Sequence, residues 1–94
     1  MDDATVIWDL EDDEDGNYWH IVVEGHGITR EEVDEVLRTP TNPTIESRES
    51  GRPITFGYTS LGNYIAVVWE EACDDPRMLY PVTAYHVPPP RERE

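Results

Sequence analysis

The stretch from His26 to Leu37, His-Gly-Ile-Thr-Arg-Glu-Glu-Val-Asp-Glu-Val-Leu, constrains this chain more than any other. Thr29 is suited to an N-cap, and Glu32, three residues on, completes a capping box. Ile28 ahead of the cap and Val33 beyond it make a hydrophobic staple. Val33, Val36 and Leu37 recur at i, i+3 and i+4, which draws one apolar stripe along a helix. Asp34 and Arg38 are an i,i+4 pair in the favourable order, with Arg38 near the negative end of the helix dipole. Pro40 ends the helix, because the residue before a proline is pushed out of the helical region. A helix this short is marginal in water by itself. The rest of the chain must supply a sheet for it to pack on.

The second half does so. From Pro53 the period changes to two: Ile54, Phe56 and Tyr58 alternate with Thr55, Gly57 and Thr59, the pattern of a half-buried strand. Ser60-Leu61-Gly62-Asn63 is a hairpin turn. Tyr64 to Trp69 is nearly continuous in apolar residues, as in a central strand covered on both faces. Glu71 to Pro76 reads as a loop and Met78 to Val87 as a last strand, with Pro81 predicting an edge or a bulge. Pro88-Pro89-Pro90 stops it.

Upstream, Ala4 to Trp8 is a short β-prone run. Residues 9–17 are the densest acidic segment and raise the question of calcium. With Gly16 as the sixth position of an EF-hand loop, the first would be Glu11 and the twelfth Val22. Such a loop opens with Asp and closes with a bidentate Glu, so the register fails at both ends and a solvated acidic turn is the better reading. Asn17 to Glu24 is ambiguous: Trp19, Ile21, Val22 and Val23 favour a pleated surface, yet Trp19, Val22 and Val23 also sit at helical spacing behind a possible Asn17 cap. Residues 39–51 form a polar connection through Pro40 and Pro43, with a short strand near Thr44-Ile45-Glu46. The expected architecture is α+β: a short N-terminal strand, one or two helices, then an antiparallel sheet of three to four strands. Residues 1–94 make a single domain, with an ordered core over about 4–88, the acidic loop at 9–17 and a tail at 88–94.

Charge narrows the partners. Seven cations, all Arg, face 21 Asp plus Glu, for a net charge of −14. That balance opposes general attraction to nucleic acid and to anionic membranes, and suits a basic partner or a salt-rich cytosol. Cys73, the single cysteine, excludes an internal disulfide and fits a reducing compartment as a passive loop thiol. No basic-then-apolar leader and no apolar run near ~18 residues is present, so a cytoplasmic location is expected.

The order of these signals resembles the BrnT-type toxins of bacterial type II toxin–antitoxin systems, within the RelE/ParE-like group. The resemblance runs over about residues 6–87. It is carried by Trp8-Asp9, by His26-Gly27-Ile28 before the capped helix, and by Glu32, Val33, Val36, Leu37 and Pro40. Gly51-Arg52, Gly57, the Gly62 turn, Val67-Val68 and Val82-Thr83-Ala84 complete it. The resemblance implies a helix over about 17–25, and hence two helices before the sheet. It further implies a metal-independent ribonuclease with no cofactor, neutralised by a cognate antitoxin. Such chemistry needs a base for the ribose 2′-OH, a cation for the charged phosphorane and an acid for the leaving oxygen. Arg52 matches a basic position of the family and is the candidate phosphate contact. Tyr85 and His86 stand where the family pattern carries Arg and another basic residue, a departure that removes fixed positive charge. His26 and His20 are further acid–base candidates, each with a structural explanation: a carbonyl bond at a turn for His26, a helix flank for His20. Arg52 has one too, an ion pair with Glu46 or Glu49. The aromatics are explained mostly as core. The alternative function is a catalytically inactive scaffold of the same kind, acting as a protein-binding module or a homodimer.

Overall fold

The computed structural model describes residues 4–25, 27–74 and 76–89. Its elements are β1 (Thr5–Val6), a π-helical turn (Trp19–Val23), α1 (Arg30–Arg38), β2 (Thr44–Glu46), β3 (Pro53–Tyr58), β4 (Tyr64–Asp74) and β5 (Arg77–His86). One sheet takes the strands in the order β1-β5-β4-β3-β2. From β2 to β5 it is an antiparallel meander, and β1 lies parallel to β5. The α+β class and the two helical segments agree with expectation. The sheet is larger than expected, five-stranded and mixed, because the first strand docks on the last. The Ile7 N–H donates to the Leu79 carbonyl at 2.8 Å, and β1 thereby gives the first residues of β5, Met78 and Leu79, an outer partner.

α1 forms as its sequence dictates. Thr29 is extended at the N-cap, accepts the Glu32 N–H on its side chain, and has its own N–H bonded by the Glu32 carboxylate at 3.1 Å. Val33 and Val36 are fully buried in a core cluster with Ile21, Ile28, Ile65, Val67 and Ala84. Burying each valine contributes roughly 1.5–3 kcal/mol. Asp34 does not engage Arg38; it accepts the Trp8 indole N–H at 2.9 Å.

The π-helical turn is where propensity and pattern disagreed, and it is helical. Asn17 and Tyr18 lead into it in α conformation, and the Glu24 N–H then reaches back five residues to the Trp19 carbonyl at 2.9 Å. Gly25 follows because a side chain there would run into the Ile21 carbonyl. Tertiary contact overrides strand propensity at this point, since Ile21 is needed over the sheet beside Val33.

Both helical segments pack on one face of the sheet, the face of Ile65, Val67 and Ala84. Register then assigns every strand residue. In β3 the assignment reverses the simple expectation: Thr55, Gly57 and Thr59 are buried toward the helices, while Ile54 and Phe56 are half-buried and Tyr58 exposed on the other side. The polar residues face in because each has work there. Thr55 Oγ1 accepts the buried Trp69 indole N–H at 2.9 Å. The Thr59 hydroxyl donates to Glu32 at 2.7 Å. Gly57 leaves room for the Asn42 amide, which would overlap any side chain at that position.

Two further differences concern the last hairpin. β4 runs on through Glu71 to Asp74, so the expected loop at 71–76 shrinks to a tight connection and Cys73 is a strand residue paired with Met78. β5 bulges between Thr83, opposite Val68, and Pro81, opposite Trp69. Pro81 is thus at a bulge, one of the two placements, edge or bulge, that its sequence predicted. Its carbonyl points away from β4 and accepts the Asn17 side-chain amide at 2.9 Å.

Candidate functional site

Of the residues expected to carry ribonuclease chemistry, Arg52, Tyr85 and His86 lie apart along the sheet. Arg52, half-exposed, directs its Nε–H at Glu70 Oε2, 2.6 Å away, and engages neither Glu46 nor Glu49. His86 is level with Gly57 through Ile65, whereas Ile54 is level with Thr83 through Val68. Arg52 and His86 are therefore separated by more than three residues of strand, on the order of 16 Å along the sheet. Tyr85 shares a face with Arg52 but lies level with Phe56, four residues from Arg52, on the order of 13 Å. His26 is outside the described residues. His20 is an exposed residue on the π-helical turn. Phosphoryl transfer needs its cation and its acid and base around one phosphorus, and the backbone positions of Arg52, Tyr85 and His86 do not converge on one such point.

What the sheet does assemble is an apolar face. On the side away from the helices, β3, β4 and β5 align Ile54, Phe56 and Tyr58 with Val68, Ala66 and Tyr64, and those with Thr83 and Tyr85. Ile45 of β2 extends the same surface beside Ile54. None of these side chains is charged. Tyr58 and Ile45 are more than half exposed, and Tyr85 is 36% exposed. Tyr64 is the hub: its ring stacks with Phe56 at 6.5 Å between centroids and leans on Tyr58 at 4.7 Å. At the margin the Arg52–Glu70 pair closes on itself and adds no net charge.

Two polar clusters elsewhere are structural. Asn17 is buried, and its amide donates to the carbonyls of Ile7 at 3.0 Å and Pro81 at 2.9 Å while accepting the Asp9 N–H. The Asp9 carboxylate accepts the Tyr80 hydroxyl at 2.6 Å and the Asn17 N–H at 2.9 Å. The Tyr80 hydrogen bond first, then that of Asn17, hold the Asp9 carboxyl below its ordinary range. The same carboxylate, with burial, pushes Tyr80 up to about 12. Glu32 is the second cluster. Burial alone would raise its carboxyl, but donors from Asn63, Thr59 and Thr29 outweigh burial and lower it. Neither Asp9 nor Glu32 is held in a protonated state that a general acid would need near neutral pH. The sequence marked Glu32 as half of a capping box; its second reach, to the β3–β4 turn, depends on tertiary placement and has no local signal.

Among the described residues no three His, Cys, Asp or Glu side chains converge to hold a metal ion, and no helix is long and apolar enough to cross a membrane. Comparison with family models, curated proteins and solved structures finds no match for this chain.

Proposed function

We propose that this chain is a non-catalytic binding module that pairs with a second copy of itself through the open face of its sheet. One observation carries this: a block of eight uncharged strand side chains, four of them aromatic, in a molecule of net charge −14. Two such molecules repel over almost any other surface; only a face without carboxylates permits close contact. Exposed rings at an interface supply contact area with few rotors to freeze. The block is small, roughly 300 Å² as a flat patch from strand spacings, against about 800 Å² per partner in a standard interface. The pair is accordingly weak, with dissociation in the micromolar range or above.

Sedimentation equilibrium from about 10 μM to 1 mM tests this. The expected result is a monomer–dimer equilibrium that Tyr58→Glu weakens at least tenfold, since the substitution sets a carboxylate among the exposed rings of the contact. A chain that stays monomeric over the whole range, or a dimer indifferent to Tyr58→Glu, overturns the proposal.

A second reading, a BrnT-like ribonuclease held by an antitoxin, is favoured by one observation, the helical segment Trp19–Val23 where propensity leans to strand. It requires Arg52 to leave Glu70 for RNA. Its test is RNA cleavage by the purified chain beside Arg52→Ala and His86→Ala. Cleavage lost in either variant would establish it; the separation of the two residues leads us to expect no cleavage. Both readings place the chain in the cytoplasm.

A further inference from the structure

A cavity of about 200 Å³ lies between the C-terminal end of α1 and the helix-side face of the sheet. Among the described residues that line it none is Asp or Glu, and two are arginines, Arg38 and Arg77. In a chain whose carboxylates outnumber its cations 21 to 7, this local sign reversal is the unusual feature. The depression beside the acidic loop is lined instead by Glu14, Asp15 and Glu24.

Three details point to what the cavity takes. The arginines have donor capacity left over. Arg38 forms no ion pair with a described residue, and Arg77 has only a long contact of 3.7 Å to half-exposed Glu71 while its guanidinium stands 5.7 Å from the Trp69 ring centre. The wall also holds a hydroxyl proton without an acceptor. Thr44 and Thr55 share one hydrogen bond of 2.7 Å, and the Trp69 N–H occupies Thr55 Oγ1 as a donor. Two hydroxyls bring two protons and their mutual bond uses one, so the other is available whichever way the pair is oriented. Finally, two of the last four carbonyls of α1, which would repel an anion, are engaged: Glu35 by the Thr39 hydroxyl at 2.7 Å and Val36 by the Asn42 amide at 2.9 Å.

From this we propose that the cavity binds a small organic carboxylate, its oxygens held by Arg38, Arg77 and the free threonine proton and its body resting on Trp69 and Leu79. Guanidinium forks match a planar carboxylate, and the buried indole and leucine offer the apolar wall that inorganic anions do not need. The volume is below that of drug-sized pockets, about 300 Å³ and upward, so the ligand is of metabolite size. The site is separate from the open sheet face and does not depend on self-association.

The test is a ¹H–¹⁵N titration at constant ionic strength with benzoate as probe, benzamide as its neutral isostere and inorganic phosphate as a bare anion. The expected result is a saturable shift of the Trp69 indole N–H by benzoate. Binding should be at least tenfold weaker for benzamide and for phosphate, and at least fivefold weaker in each of Arg38→Gln and Arg77→Gln. Both variants change exposed side chains, and unshifted signals from Ile21 and Val33 in the core report that they remain folded. Equal response to benzoate and benzamide, equal response to phosphate, no saturation, or unchanged binding in both variants overturns the proposal.

Discussion

Glu32 illustrates how one side chain can set a pH dependence without taking part in any reaction. Its carboxylate sits in the core with Thr29, Thr59 and Asn63 donating to it and, among the described residues, no cation paired with it. A carboxyl whose folded value is lowered contributes stability that is fully present above its unfolded value, about 4.3, and is lost as pH falls through the lower folded value. Thermal melting of the parent and of Glu32→Gln between pH 7 and 3 should therefore give two curves that converge on acidification. At pH 7 the variant should be less stable by about 2 kcal/mol, because the amide nitrogen cannot accept from Thr59 and Asn63. The comparison matters because acid also relieves the self-repulsion of the −14 molecule, an effect common to both proteins. Curves that stay parallel over that range would show that Glu32 titrates as in the unfolded chain.

At the scale of elements, α1 was legible from its own residues, since cap, box, staple and stripe are all local. The π-helical turn was not, because its helicity answers to Ile21 packing beside Val33 and Ile65, contacts the local pattern does not contain. The facing of β3 was misleading for a related reason. Alternation identified the strand but not its side, as the inward positions hold threonines whose partners, Trp69 and Glu32, are 14 and 27 residues away. Of the candidate site residues, position along the strands was readable for Arg52, Tyr85 and His86. Their separation was not, because it depends on the β3–β4–β5 register. Gly57→Ala tests the β3 assignment directly. On the helix-facing side the added methyl meets the Asn42 amide, which bonds the end of α1, and the expected loss is about 1–3 kcal/mol in denaturant melts. On the open side the same change would be nearly neutral.

For the whole molecule the governing quantity is charge. A net −14 spread over 94 residues steers away polyanions and holds copies apart at low salt. At 1 M salt the screening length contracts to about 3 Å, and repulsion between the acidic surfaces of two copies is confined to contact distance. The monomer–dimer equilibrium should therefore shift toward dimer as salt rises, the reverse of an association built on ion pairs. The strands at the two margins of the sheet bear on the same question. β1 has two residues and β2 three, each too brief to template a long added strand. Accretion along the hydrogen-bonding direction is thereby denied a foothold at either terminal strand. A contact of like face on like face uses up its own surface once made. For the pairing proposed above, this geometry favours a closed pair over a fibre that would grow without limit.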